Sequence, residues 1–239
     1  MDLRNTTAVV TGAASGIGRA LARHIHQRGA QLIVADRDAE ALHATAHELD
    51  ARAVTMDVAA ADDNERLAST AGAPRLLCLN AGVVSTAPGP VWEAPPDEWR
   101  RVVDINLGGV VNGLRAFIPR MLATSHDHNV LTTASLAGLA TWPGGGPYAA
   151  SKHAVITVAE QAALALVDHP VTITVLCSAL VRTGMSDTGD DPDDVAVTAL
   201  DAVDQGRFTV LPAEWTEAVR RRASRLADGL PPQQPTPRP

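Results

Sequence analysis

Short uninterrupted apolar runs alternate along the chain with longer stretches in which apolar residues recur every three or four positions. The runs fall at Thr7 to Thr11 (TAVVT), Gln31 to Ala35 (QLIVA), Arg52 to Met56 (RAVTM), Arg75 to Asn80 (RLLCLN), Asn129 to Ser135 (NVLTTAS) and Val171 to Cys177 (VTITVLC). A strand buried on both faces reads in this continuous way, whereas a half-solvated strand alternates. The intervening stretches, such as RALARHIHQRG from Arg19 to Gly29, carry the period of amphipathic helices, and helices between parallel strands make right-handed crossovers. The pattern predicts a Rossmann-type doubly wound parallel sheet in a three-layer α/β/α single domain.

Toward the C-terminus, DPDDVAVTALDAVDQG predicts a helix opened by acidic residues and closed by Gly206, then a short strand, RFTVL, and a helix from about Glu214 to Asp228. The domain is expected to occupy residues 1–229, and residues 230–239, proline-rich and polar, to form a disordered tail. The proline-rich stretch from Ser85 to Trp99 reads as a surface loop.

Composition narrows the partners. With 239 residues, 46% of them hydrophobic, the chain can bury a sizeable core. A formal net charge of −7 argues against a general nucleic-acid or anionic-membrane binder, and the one basic cluster, Arg220 to Arg222, reads as a solvated helix face. Cys78 and Cys177 sit inside apolar runs without CxxC spacing, as buried small hydrophobes in a reducing compartment do. The N-terminus carries no apolar signal-peptide core and no run reaches 18 apolar residues, so a soluble cytoplasmic protein is expected. His126 and His128 lack a third ligand in sequence reach, and no metal is expected there. His24 and His26 fall on opposite faces of the first helix and are expected to be solvated, and His153 reads as a surface residue, with a place at the substrate edge as the alternative.

The first strand ends in TGAASGIG, Thr11 to Gly18, and runs straight into a helix. Gly12, Gly16 and Gly18 permit a tight turn and close approach to a pyrophosphate held on the helix N-terminal amides, with Ser15 and Ile17 between them. Asp36 follows the second strand, 18 residues beyond Gly18. A carboxylate at that point can accept both ribose hydroxyls of an adenosine and repels a 2′-phosphate. Dinucleotide binding follows.

With its TGxxxGxG spacing the chain resembles the classical short-chain dehydrogenases/reductases, and the resemblance runs from Thr7 to about Met185. In order come Asp57-Val58, which the resemblance places against the adenine; Asn80-Ala81-Gly82 at the end of the fourth strand; Asn106 in DINLGG; Ser135; and Tyr148 with Lys152 in YxxxK. Tyr148 and Lys152 are also the only tyrosine and the only lysine of the chain, 19 of whose 20 Lys+Arg residues are arginines.

Residues four apart lie on one helix face, so Tyr148 and Lys152 can address one ligand. A phenol titrates near pH ~10 in model peptides, and a neighbouring ammonium favours the phenolate that a general base needs. The resemblance implies that Ser135 holds the substrate oxygen, Tyr148 exchanges its proton, and Asn106 holds a water through its backbone in a relay from Lys152. It implies an NAD(P)-dependent oxidoreductase interconverting a secondary alcohol and a ketone, assembled as a homodimer or homotetramer. Asp36 and the uncharged Ser15 favour NAD(H) over NADP(H), with Arg37 stacked on the adenine. Two other readings share these residues: a non-catalytic dinucleotide-sensing protein, which typically loses the tyrosine or the lysine, and a dehydratase or epimerase of the same family.

The chain departs from the family pattern after the sixth strand. Ser178 and Ala179 stand where a Pro-Gly pair usually turns the chain, and Thr183 remains to bind the carboxamide. Loss of glycine removes easy access to φ > 0, and loss of proline loosens the turn. The short segment after Thr183 predicts an open pocket walled by residues 136–146, the loop after Asn80, and Met185, whose apolar character favours a hydrophobic alcohol or ketone over a sugar.

Overall fold

The apolar runs become strands of one sheet, covered on both faces in its interior and partly exposed at its β3 edge. The computed structural model describes residues 1–87 and 89–237. The strands are β1 (Thr7–Thr11), β2 (Gln31–Asp36), β3 (Arg52–Thr55), β4 (Leu76–Leu79), β5 (His128–Thr133), β6 (Val171–Leu176) and β7 (Thr209–Val210). They form one sheet in the order β3-β2-β1-β4-β5-β6-β7, with every pair parallel. The helices are α1 (Gly16–Gln27), α2 (Ala39–Glu48), α3 (Ala61–Ala71), α4 (Pro96–Val103), α5 (Gly109–Leu122), α6 (Gly146–Ala165), α7 (Pro192–Asp204) and α8 (Thr216–Ala227).

The alternation of side chains along each strand divides the interior into two layers. Ala8 and Val10 of β1 pack with Leu21 and Ile25 of α1, Leu42 of α2 and Leu200 of α7. Val9 turns the other way, toward Leu67 of α3, Phe117 and Met121 of α5 and Val155 of α6. Phe117 and Met121 are fully buried, and side chains of this size contribute about 1.5–3 kcal/mol each on leaving water.

Several expectations change. The proline-rich loop ends at Pro95, because Pro96 opens α4 with Asp97 and Glu98 in its first turn; proline suits that position and the acids suit the helix dipole. Pro88, in the same stretch, lies outside the described residues. The RFTVL run yields only a two-residue edge strand, since its sole neighbour, β6, pairs with it at Val175 and Leu176. A 3-10 turn, Ala213–Trp215, precedes α8. His24 is not free in solvent: it is partly buried and lies 3.0 Å from Asp193, which also accepts from Arg23, tying α1 to the start of α7. His153 is partly buried, with Nδ1 2.9 Å from the Ala149 carbonyl. His128 is buried between the Pro74 carbonyl and the Thr124 hydroxyl, at 2.8 and 2.7 Å.

Beyond α8, residues 231–237 form no helix or strand. Arg225 Nε donates to the Pro231 carbonyl at 2.8 Å, and Pro232 to Pro235 line a shallow space with Trp142 and Pro143. Arg238 and Pro239 of the expected tail lie outside the described residues. Among the described residues no helix is long and apolar enough to cross a membrane.

Candidate active site

Strand order reverses between β1 and β4, and open parallel sheets bind ligands at the carboxyl ends of strands on either side of such a point. A cavity of about 780 Å³ occupies that place. Gly12, Ser15, Gly16, Ile17, Asp36, Arg37, Asp57, Val58, Asn80, Ala81 and Gly82 line one end, and Ser135, Tyr148, Lys152, Ser178, Ala179 and Thr183 line the other.

Local geometry shows why glycine is needed in the turn after β1. Gly12 and Gly16 have φ of +68° and +52°, a region other residues rarely occupy. Gly18 does not line the cavity but lies under it: a Cβ there would overlap the Gly12 carbonyl oxygen and stand 2.6 Å from Asn80 Nδ2. α1 opens with no side-chain cap hydrogen bond and no acidic residue in its first turn, so its first amides are left for an anionic ligand. Asp36 accepts from the Ala14 and Asp38 amides, each at 3.1 Å, which fixes its carboxylate at the end of β2.

One network ties the two strands at the reversal. The Thr11 hydroxyl donates to the Cys78 carbonyl at 3.3 Å and accepts from the Asn80 and Ala81 amides at 3.0 and 3.2 Å. Asn80 Nδ2 donates to the Thr11 carbonyl at 3.2 Å, while its Oδ1 accepts from the Thr133 hydroxyl at 3.0 Å. The positive-φ turn, the unspent helix amides and the fixed carboxylate fit a nicotinamide dinucleotide.

At the other end, Tyr148 and Lys152 face the cavity from successive turns of α6, with Lys152 Nζ 5.8 Å from the Tyr148 ring centre. Lys152 is 4% exposed, and Nζ donates to the Thr133 carbonyl at 2.9 Å. Burial pushes its ammonium down to about 8. Burial also raises the Tyr148 phenol above its ordinary value, and the neighbouring Ser135 hydroxyl pulls it partway back. Burial thus disfavours the charged form of both groups, whereas the Ser135 hydroxyl favours the phenolate.

Asn106 sits behind this wall. It is fully buried, in a π-helical turn, Asp104–Gly108, between α4 and α5. Its side chain accepts from the Val83 amide at 2.8 Å and donates to the Val83 carbonyl and to Ser151 Oγ, both at 3.0 Å. A Cβ on Gly82 would lie 3.2 Å from both Asn106 Oδ1 and Lys152 Nζ, so these two residues flank one glycine. Cys177, at the end of β6, is free and buried, and burial pushes its thiol up to about 12. Cys78 is likewise free, buried and raised by burial.

The segment after β6 makes its turn without glycine. Among the described residues the only non-glycine positive φ values are at Asn5 and Asp50, so neither Ser178 nor Ala179 is left-handed. The Ser178 carbonyl accepts from the Leu136 amide at 2.8 Å, tying this segment to the one after β5. Thr183 and Ser186 exchange backbone hydrogen bonds at 3.0 and 3.1 Å. A Cβ on Gly16 would stand 2.8 Å from Thr183 Cγ2, so the glycine turn and the threonine meet.

Sequence reasoning missed two parts of the site. Trp215, in the turn before α8, lines the cavity and meets Trp142 edge to face at 5.8 Å between ring centres. No local pattern around Trp215 signals this. Glu98 of α4 holds the loop after β4: its carboxylate accepts from the Thr86 amide at 2.5 Å and from Arg101 Nε at 2.8 Å, while Arg101 Nη2 donates to the Val84 carbonyl at 2.9 Å. The Arg101 guanidinium and the Thr86 amide bring the Glu98 carboxyl down to about 2. Among the described residues no three His, Cys, Asp or Glu side chains converge as a metal site.

Residues 6–193 match the family model of the short chain dehydrogenases. The chain is 38% identical over 228 residues to 1-deoxy-11-beta-hydroxypentalenate dehydrogenase of Streptomyces exfoliatus, across 87% of this chain and 83% of that protein. It is 32% identical over 192 residues to 3beta-hydroxysteroid dehydrogenase 2 of Eggerthella lenta, across 77% and 74%. A solved short chain dehydrogenase/reductase from Burkholderia phymatum, in complex with NAD, has a TM-score of 0.91 at 30% identity and matches 99% of each chain. The chain therefore belongs to the short-chain dehydrogenase/reductase family, and it is a nicotinamide-dinucleotide-dependent oxidoreductase of alcohols and ketones.

Proposed function

We propose that Tyr148 is the general acid/base of this reaction, that the substrate is an apolar secondary alcohol or its ketone, and that the cofactor is NAD(H). The observation that carries the reading is the meeting of Ser135, Tyr148 and Lys152 in one wall of the cavity, beyond the end that fits the dinucleotide. The bound dinucleotide supplies the hydride in reduction and takes it up in oxidation.

The protein's own residues handle the proton. Ser135 donates a hydrogen bond to a carbonyl oxygen, or accepts one from an alcohol. Tyr148 gives its phenolic proton to that oxygen in reduction and removes it in oxidation. The buried ammonium of Lys152 favours the phenolate left behind and opposes the rise that burial imposes on the phenol. Asn106 fixes Val83 and Ser151 beside Lys152, and its π-helical turn is where proton exchange with solvent passes.

Cofactor choice rests on Asp36, whose carboxylate sits where a 2′-phosphate would put like charge beside it, and on the absence of a cation at Ser15. Arg37, exposed at the rim, stacks on the adenine. The NAD held by the Burkholderia phymatum relative supports this choice. The buried thiols support a cytoplasmic location, and the enzyme acts as a homodimer or homotetramer with a small molecule as its substrate.

The test is kcat/KM with NADH and NADPH on one ketone that is turned over. A higher value for NADH, relaxed in Asp36→Ala, is expected. A higher value for NADPH in the wild type refutes the role given to Asp36, and a chain that binds NADH but turns over no ketone or alcohol refutes the role given to Tyr148.

A further inference from the structure

The charges in the cavity are unevenly placed. Asp36, Arg37 and Asp57 lie at the ends of β2 and β3, on the dinucleotide side, so Lys152 is the one charged group lining the side over β5 to β7 among the described residues. That side offers no cation beyond Lys152 to a carboxylate or phosphate.

What it offers is apolar surface that faces water. Leu180 and Met185 are 64% and 52% exposed, and Val84 is 38% exposed; all three line the cavity. Apolar side chains gathered and exposed around one opening mark a surface that a ligand covers. Two indoles from distant parts of the chain line the same cavity. Trp142 belongs to the segment between β5 and α6, and Trp215 to the turn before α8. Their edge-to-face contact makes one continuous aromatic wall, of a geometry aromatic pairs favour. α8 buries only Ala218 against the body of the protein, so Trp215 is the main apolar contribution of this C-terminal segment to the cavity.

We propose that Trp215, acting with Trp142, is a specificity-determining residue that selects rigid fused-ring alcohols and ketones over flexible or single-ring ones. The inference rests on the alcohol/ketone reading of the site. An indole face braced by the edge of a second indole buries a rigid ring system without ordering it further, whereas a flexible chain of equal carbon number loses rotamer freedom on the same surface. A single ring leaves part of the wall wet.

The test uses three ketones: 2-decalone, the open-chain 2-decanone with the same number of carbons, and cyclohexanone. The wild type is expected to show its highest kcat/KM with 2-decalone. In Trp215→Ala the 2-decalone to cyclohexanone ratio is expected to fall at least about tenfold, through KM, since the lost contact is made before the chemical step; Trp215→Phe should recover most of it. An unchanged ratio in Trp215→Ala, or a wild type that prefers 2-decanone, overturns the proposal. Binding is read separately by quenching of tryptophan fluorescence in the dinucleotide-loaded protein, which needs no turnover. If 2-decalone quenches the wild type and Trp215→Ala weakens that binding at least about tenfold, the aromatic wall stands even where the redox reading fails; if 2-decalone binds both equally, the wall is refuted whatever the activity.

Discussion

Replacing Gly18 by alanine tests how tightly the glycine turn is built. The added methyl would overlap the Gly12 carbonyl oxygen, and it would stand 2.7 Å from the Gly12 carbonyl carbon and 2.6 Å from Asn80 Nδ2. Carbon atoms rest at roughly 3.5–4.0 Å, so the turn and α1 must part by about 0.8 Å or more. No flexible side chain can absorb that movement. The obstacle is backbone on one side, and on the other an asparagine held by Thr11 and Thr133. Overpacking of this kind costs about 1–3 kcal/mol, and a rigid obstacle puts Gly18→Ala at the upper end, about 3 kcal/mol. For a chain of this size one kcal/mol moves the melting temperature by about 2–4 °C, so a loss of about 6–12 °C is expected, together with weaker NADH binding as the turn shifts. Gly144→Ala is the control, since its Cβ would meet no heavy atom within 4 Å; its melting temperature should stay close to that of the wild type. Thermal melts by circular dichroism and an NADH titration by fluorescence decide the matter. A Gly18→Ala protein that melts with the wild type and binds NADH equally well refutes the packing argument.

Tyr148→Phe should lower kcat by about 10²–10⁴-fold with NADH affinity nearly unchanged, because only the proton-carrying hydroxyl is removed; steady-state kinetics beside an NADH titration show whether the two separate. In Lys152→Ala the alkaline-favoured limb of alcohol oxidation should move to higher pH, since the phenolate loses its ammonium neighbour, and an unmoved limb with weaker cofactor binding would restrict the lysine to holding the ribose. Glu98→Gln should lower the melting temperature at pH 7 by loosening the Thr86 and Val84 loop. Because the folded carboxyl is held at about 2, below the ordinary carboxylate value, its contribution is full above that ordinary value and fades as pH falls toward 2. The melting-temperature gap between wild type and Glu98→Gln should close over that range, and a gap independent of pH would mean that the ion pair is not its source.

Five of the seven strands were legible because they are mostly buried on both faces, so hydrophobic runs alone mark them; β3, at the sheet edge, was legible as a run although none of its residues is buried. β7 was overdrawn because the run lies at the sheet edge, where β6 is its single neighbour and pairs with it only at Val175 and Leu176. Proline was read as a loop signal through Trp99, yet at the first helical position it starts α4. The cofactor turn and the Tyr148–Lys152 pair were legible because their chemistry demands particular residues at fixed local spacings. Trp215 was not, because its partner Trp142 lies on another element and no local period links them. His24 was read as solvated for the same reason: its acid, Asp193, stands 169 residues away. The role of the Asn106 side chain was hidden too, since its partners, Val83 and Ser151, lie on two other segments.

The scarcity of lysine has a practical consequence for covalent chemistry. Every other long cation is a guanidinium, which reagents for primary amines leave alone. The other primary amine, at Met1, is ion-paired with Asp204 at 2.8 Å. Lys152, brought down to about 8 by burial, carries a large neutral fraction in mildly alkaline buffer and opens onto the cavity. An aldehyde such as pyridoxal phosphate, fixed by borohydride, therefore has a single lysine to meet, and that lysine faces the pocket, so modification of lysine counts accessible sites and bound dinucleotide registers as protection. The same scarcity means that amine-directed cross-linkers and activated resins find no lysine on the outer surface, and tethering the folded protein through lysine calls for another chemistry.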